Sequence, residues 1–543
     1  MYKNEKLLIG KNQKKEVNLL LNMANRHGLI TGASGSGKTI TLKVLAESFS
    51  DARVPVFLVD VKGDLAGTAF KGVTNSNIES RIESLNLEGY EFKKYPVTFW
   101  DVYGEYGHPI RTTVAKTGPR LLSKMLGLSD AQEGILSIAF KIAEDENLEL
   151  VDLKDLRTLL NYIGDKRKEY SLTYGNITTQ SVGSIQRNIL TLQEEGGDYF
   201  FGSPDFDIKD FIHYDADTGN GQINILHAST LFQRPNLYST FLLWLLTYLY
   251  NSMPEAGDLP KPKLVFFIDE AHLLFDNIPR TLLTSITQIV KLIRSKGIGL
   301  YFISQSPSDI PDEILSQLGN RIQHVLRYYT KNDEKAIKAA ANSFRINPKL
   351  DTVEEIKNLG TGVALVSFQD EKGTPEMVEK VTILPPQSAM GSIDDDLREE
   401  LIRRSYLYGK YENAIDSESA HEKISQVKDE EQKAKEELEA QKQKEKEEAE
   451  AQKQKEKEEK EAEKKRKEEE KAQKEAEREA EKKRKEEERI KKEAERAAEK
   501  KKKEEEKAMK NSVGYKLGKK VVNKTTNKVI DKGLNSLLKN LFK

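Results

Sequence analysis

Cysteine is absent from this chain of 543 residues. That excludes disulfides, thiolate-bound zinc, iron–sulfur clusters and thiol nucleophiles. Long apolar runs are missing as well. The longest, Phe241–Tyr250, covers roughly half a bilayer span and is followed by Pro254 and Pro260, so it predicts a buried helix and not a membrane crossing. Met1–Gln13 is polar and lysine-bearing, without the apolar stretch of a secretory leader. A soluble, cytoplasmic protein is the expectation. Net charge is also scarce, formally −1, although 32% of the residues are charged. The charges are unevenly spread. His421–Lys510 holds 32 basic and 32 acidic residues, Asn511–Lys543 holds 8 lysines and one acid, and Met1–Ala420 is net −8. The near-neutral total averages three unlike segments.

Within Met1–Ala420, short β-rich apolar runs alternate with stretches of helix length. Gly28–Thr31, Pro55–Asp60, Val97–Trp100, Leu264–Asp269, Gly299–Ser304, Arg321–Leu326 and Val363–Phe368 read as buried strands beside Gly, Pro or Asp punctuation. Before Gly28 there is room for only a short strand or two. This alternation predicts an α/β fold on a largely parallel sheet. From Gly104 to Pro262 the pattern turns helical, over Arg120–Leu126, Gln132–Ala143, Leu153–Ile163, Ser181–Gln193 and Tyr238–Tyr250. The expected organisation is a core over residues 1–395 with a helical insertion at about 104–262, then a connecting helix at 396–420, a charged segment at 421–510 and a basic tail at 511–543.

The charged segment repeats. Gln441–Ala451 reads QKQKEKEEAEA and Gln452–Ala462 reads QKQKEKEEKEA, a period of 11; EKKRKEEE starts at Glu463 and Glu481 and EKKKKEEE at Glu499, a period of 18. Eleven residues are close to three α-helical turns and eighteen make about five, so equivalent residues return to one helix face. Nearly all apolar positions are alanine, which leaves no seam for a strong coiled coil. A lone helix on the order of 120 Å long is expected, with a disordered polyampholyte as the alternative. Either form is a spacer.

The strongest chemical signal is Gly32-Ala33-Ser34-Gly35-Ser36-Gly37-Lys38-Thr39, which fits G-x-x-x-x-G-K-[ST] between the strand Gly28–Thr31 and a helix from Ile40. The glycines let backbone N–H groups turn inward onto phosphate oxygens at a helix N-terminus. Lys38 would reach the β- and γ-phosphates of ATP, and Thr39 would ligate Mg2+. The complementary acids end another strand, in Leu264-Val265-Phe266-Phe267-Ile268-Asp269-Glu270. Asp269 would hold magnesium through water and Glu270 would take the proton of an attacking water. Asp269 read alone is equally a helix cap. Gln305, after the strand Gly299–Ser304, is placed to touch the γ-phosphate or the water, or simply to turn the chain. Arg294 and Arg321 are candidates for an arginine finger reaching a neighbouring subunit's nucleotide, against the alternative of surface arginines. Asp60 and Asp64 either support the metal or close a turn.

GASGSGKT, FLVDVKGDLAG, FWDVYGEYGHPIR, QEGILSIAFKIAED, KPKLVFFIDEAHLLF, LIRSKGIGLYFISQSPSDIP and LGNRIQHVLR together resemble a bacterial HerA-like ATPase family of the HerA–FtsK superfamily. The resemblance runs from about Lys6 to Gly391 and includes the basic tail. It implies a RecA-like additional-strand P-loop core, a homo-oligomer of hexameric ring form, and motor activity on double-stranded DNA. Lys38 and Thr39 match the family's phosphate and magnesium residues, Asp269 its metal-supporting acid, Glu270 its catalytic glutamate and Gln305 its sensor glutamine. Arg294 is the first choice for the finger and Arg321 the second. Archaeal members carry an N-terminal β-barrel that docks a nuclease; with 27 residues before Gly28, that partnership is not expected here. Asp269-Glu270-Ala271-His272 also spells the box of DEAH helicases. Their second RecA-like domain carries a Q-x-x-G-R motif that does not precede the repeats, so His272 reads as incidental.

The acidic core has no basic–aromatic run of its own to announce nucleic acid, and DNA is expected through the resemblance. In the tail, Val529, Ile530, Leu534, Leu537, Leu538, Leu541 and Phe542 fall at helical spacing among lysines. Docking on the core, an anionic membrane surface and a partner groove all suit it. A function of another class stays open beside the motor: a nucleotide-gated assembly or tether in which the helix and tail set a spacing.

Overall fold

A computed structural model describes residues 1–12, 15–275 and 280–497; the tail from Asn511 and its proposed docking lie outside them. Two compact units are present, Met1–Lys433 and the part of the charged segment from Ala434 onward.

The first unit is built on one sheet. Its strands are β1 Tyr2–Lys3, β2 Lys6–Lys11, β3 Glu16–Leu20, β4 Gly28–Thr31, β5 Val56–Asp60, β6 Val97–Asp101 and β7 His108–Pro109. They are followed by β8 Ile223–His227, β9 Leu264–Ile268, β10 Ile298–Ser304, β11 Asn320–Gln323, β12 Val363–Ser367 and β13 Glu379–Ile383. The order is β1-β2-β13-β12-β11-β4-β10-β9-β5-β8-β6-β7, with β3 on β2. From β11 to β7 all pairings are parallel, whereas β12, β13 and β2 add antiparallel strands.

Parallel strands buried on both faces need apolar residues at every position, and β5, β9 and β10 are buried throughout. Alternate residues divide between two cores. Val56, Leu58, Val265, Phe267, Tyr301 and Ile303 face the side of the P-loop helix Lys38–Asp51, packing with Leu42, Leu45 and Phe49. Phe57, Val59, Phe266, Ile268, Leu300 and Phe302 face the helical layer. That layer includes Val114–Met125, Asp130–Asp145, Leu153–Asp165, Thr179–Glu194 and Pro235–Ser252. The run Phe241–Tyr250 lies in the last of these, with Phe241, Leu242, Leu245 and Leu249 fully enclosed. No described helix is long and apolar enough to cross a membrane.

Several expectations are corrected. Three strands, not one or two, precede Gly28. Within the mostly helical segment at 104–262 a strand was missed, β8, which runs through the sheet between β5 and β6. Asn224 hid it: an amide inside an apolar strand, it accepts from Trp100 Nε1 at 2.9 Å and donates to the carbonyls of Val56 and Phe211 at 3.1 Å each. The connecting segment is helical only over Asp395–Arg403. Beyond it an irregular stretch packs Tyr411 against Trp100, ring centroids 5.9 Å apart.

The charged segment is a helix, Ala420–Ala497, and its root belongs to the first unit. Ser419 Oγ and N bond Glu422 Oε2 at 2.6 and 3.0 Å, Thr158 Oγ1 pairs with His421 Nδ1 at 2.8 Å, and Ile424 is buried. From Ala434 to Ile490 the helix is almost wholly exposed, with i,i+4 pairs such as Glu463–Lys467 at 2.7 Å.

Candidate nucleotide-binding site

β4 ends at Thr31, and the loop Gly32–Gly37 turns into the helix from Lys38. Gly35 and Gly37 take φ 73° and 109°, left-handed values that side chains resist. A Cβ on Gly37 would also press on the Gly362 backbone at 3.2 Å. The loop is anchored from outside: Ala33 N donates to Val325 O at 2.8 Å and Gly362 N to Ser36 O at 3.0 Å. Lys38, 7% exposed, donates to the carbonyls of Gly32 and Ala33 at 2.6 and 3.2 Å. Burial lowers its pKa against the pull of Glu270. Ser34 and Gly35 are exposed, and Thr39 is half-buried in the first helical turn.

β10 stands between β4 and β9, the additional strand expected between phosphate loop and acids. Asp269 and Glu270 follow β9 directly, both buried. Burial pushes the Asp269 carboxyl up to about 7, with Lys62 opposing and Glu270 adding to the rise. Burial likewise pushes Glu270 up, but Lys62, His272 and Lys38 outweigh it and hold the carboxyl below its ordinary value. Ser36 Oγ, Asp64 Oδ1 and Glu270 Oε2 are buried without hydrogen-bond partners. Polar atoms of this kind around a glycine loop suit a polyphosphate and its cation. Among the described residues no three His, Asp or Glu side chains form a metal cluster. Thr39, water on Asp269 and phosphate oxygens are what would ligate magnesium. Asp60 closes a turn, accepting from Gly63 N at 2.7 Å and Leu65 N at 3.1 Å.

The Helicase HerA-like C-terminal family matches residues 5–541. The chain belongs to this HerA-like family. It is 26% identical over 367 residues to the DNA double-strand break repair helicase HerA of Sulfurisphaera tokodaii, covering 65% of this chain and 64% of that protein. With the helicase of the same name from Saccharolobus solfataricus it shares 25% over 362 residues, 66% of this chain and 64% of that one. The chain thus spans under two thirds of the relatives' length. Among solved structures, the plasmid coupling protein TrwB in complex with ADP and Mg2+ aligns at TM-score 0.46 and 16% identity, over 72% of this chain and 92% of that one. VirB4 of Thermoanaerobacter pseudethanolicus aligns at 0.45 and 16%, over 70% and 97%.

The other candidates of the HerA-like chain separate by position. Gln305 is exposed directly after β10, whose Ser304 pairs with Thr31 beside the loop. Arg294 precedes β10, at the far end of the sheet. The strand's seven residues put it about 20 Å from its own phosphate loop, so within one chain it cannot touch that nucleotide. Arg321 is corrected: its Nε and two terminal nitrogens donate to the carbonyls of Leu318, Ser343 and Leu315 at 3.0, 3.1 and 3.0 Å. Three of its five N–H donors tie Leu315 and Leu318 to Ser343.

Three residues escaped sequence reasoning. Lys62 Nζ lies 2.6 Å from Glu270 Oε1. His272 Nδ1 lies 3.3 Å from Glu270 Oε2 without hydrogen-bond geometry, so the histidine set aside as incidental abuts the key acid. His324 stands behind the loop, pairing with Thr41 Oγ1 at 2.8 Å, and burial lowers its pKa to about 4. Lys62 meets Glu270 only because β5 and β9 are neighbours in the sheet, which no local sequence pattern records.

Proposed function

We propose that this HerA-like chain is a magnesium-dependent ATPase acting as a hexameric ring motor on double-stranded DNA. One observation carries the reading: the glycine loop after β4 and the acids after β9 end on the same edge of a sheet, one strand apart. In this mechanism the loop amides and Lys38 bind the β- and γ-phosphates. Bound magnesium would offset phosphate charge, with Thr39 and Asp269 orienting it. Glu270 accepts the proton of the attacking water as the Pγ–O bond to ADP breaks, and Gln305 orients that water. Arg294, too far from its own site, serves the neighbouring subunit's γ-phosphate, which makes assembly a condition of turnover. The names of the relatives, DNA repair helicases, support duplex DNA as the substrate.

The all-round exposure of the helix beyond Ala434 favours the second reading, a nucleotide-gated tether. Steady-state ATPase rate with and without duplex DNA separates the two. Strong stimulation is expected of the motor; a slow rate indifferent to DNA leaves the tether.

A further inference from the structure

Lys62, on the loop after β5, plays no part in the mechanism above. Its ammonium makes an ion pair of 2.6 Å with Glu270 Oε1, in which the lysine side chain is 47% exposed and the carboxylate side chain 8%. Glu270 sits on a left-handed backbone, φ 46°, a conformation that costs a side-chain-bearing residue and has to be held by its surroundings. An oxygen bonded to an ammonium is not free to take a proton from water. Its other oxygen faces His272. Oε1 is therefore held by the lysine, while Oε2 is buried beside the imidazole without a hydrogen-bond partner.

Lys62 is also close enough to Lys38 for the two cations to repel. A triphosphate gripped by Lys38 accordingly lies within the field of Lys62, and brings more negative charge than the single carboxylate. Lys62, half exposed on a flexible four-carbon stem, is free to exchange one anion for the other.

We propose that Lys62 is a positioning residue that senses the γ-phosphate: it pairs with Glu270 until ATP binds, then moves to the phosphate and frees the carboxylate to face water. The inference rests on Glu270 being the general base. It makes the base available only when there is something to hydrolyse.

The test is equilibrium binding of ADP and of a non-hydrolysable ATP analogue, each with magnesium, to the full chain. The variants are Glu270→Gln, Lys62→Met and Lys62→Arg, and Glu270→Gln combined with each lysine substitution. Removing the Glu270 charge removes Lys62's alternative partner, so Glu270→Gln should bind the analogue about tenfold tighter, the size of one charged hydrogen bond. ADP affinity should change little. In the Lys62→Met background the gain should vanish, so that single and double variants bind alike; Lys62→Arg should restore it. Dependence on Lys62 separates this exchange from a general effect of removing negative charge. Equal analogue affinity for wild type and Glu270→Gln would overturn the proposal, as would a Lys62→Met loss shared equally by ADP and analogue. Wild-type turnover by Glu270→Gln would instead remove the base assignment, a failure visible in the rate and not in the affinities.

Discussion

His27 offers a proton-linked test of how the far end of the sheet is held. It is 2% exposed, and both ring nitrogens are used: Nε2–H donates to Val290 O at 2.9 Å and Nδ1 accepts from Leu300 N at 3.0 Å. These two contacts bracket Arg294 along the chain. Burial lowers its pKa to about 4 from 6.5; the Val290 bond opposes the shift and the Arg294 charge assists it. The folded-state value is the lower one, so between about pH 6.5 and pH 4 the unfolded chain takes up a proton that the folded chain refuses. Stability from His27 is complete above about pH 6.5 and is lost as pH falls towards 4. From the two pKa values, the loss comes to about 2 kcal/mol by pH 5 and about 3 kcal/mol at pH 4. His27→Gln keeps a donor and an acceptor but cannot titrate. Urea unfolding of both proteins at about pH 7.5 and about pH 5 isolates the effect, because all other groups titrate in each. Wild type should lose about 2 kcal/mol more than His27→Gln over that interval. Parallel losses would refute the reasoning.

The two arginines should behave oppositely. Arg321→Ala should destabilise by about 2–4 kcal/mol, since three carbonyls lose their donor. Arg294→Ala should change stability by less than about 1 kcal/mol yet cut turnover about 10³-fold. Mixing Arg294→Ala with Glu270→Gln subunits should restore part of the ATPase rate; no rescue at any ratio would remove the finger assignment. A chain ending at Lys433 should keep its ATPase rate and unfolding midpoint. One ending at Glu418 should lose about 2–4 kcal/mol, because Ser419, His421 and Ile424 seal the helical layer; equal midpoints would show that the helix root is dispensable.

The parallel strands and the phosphate loop were legible because they carry strong local signals: uninterrupted apolar runs, and glycines ahead of a lysine. The charged helix was legible through its 11- and 18-residue periods. β8 was not, since Asn224 breaks its apolar run and finds its partners only from β5, β6 and Phe211. The roles of Lys62 and Arg321 were hidden for a related reason. An ion pair across 208 positions of sequence, or a guanidinium spread over three loop carbonyls, depends on which strand ends the fold brings together, and no local pattern records that.

The central claim is that one strand end grips the triphosphate while its neighbour across β10 supplies the base. Incubating wild type, Lys38→Ala and Glu270→Gln with magnesium and ATP, then separating protein from free nucleotide and identifying what remains bound, tests it most directly. The account predicts ADP on the wild type, nothing on Lys38→Ala and intact ATP on Glu270→Gln. Nucleotide retained by Lys38→Ala as well as by the wild type, or ADP formed at the usual rate on Glu270→Gln, would contradict it.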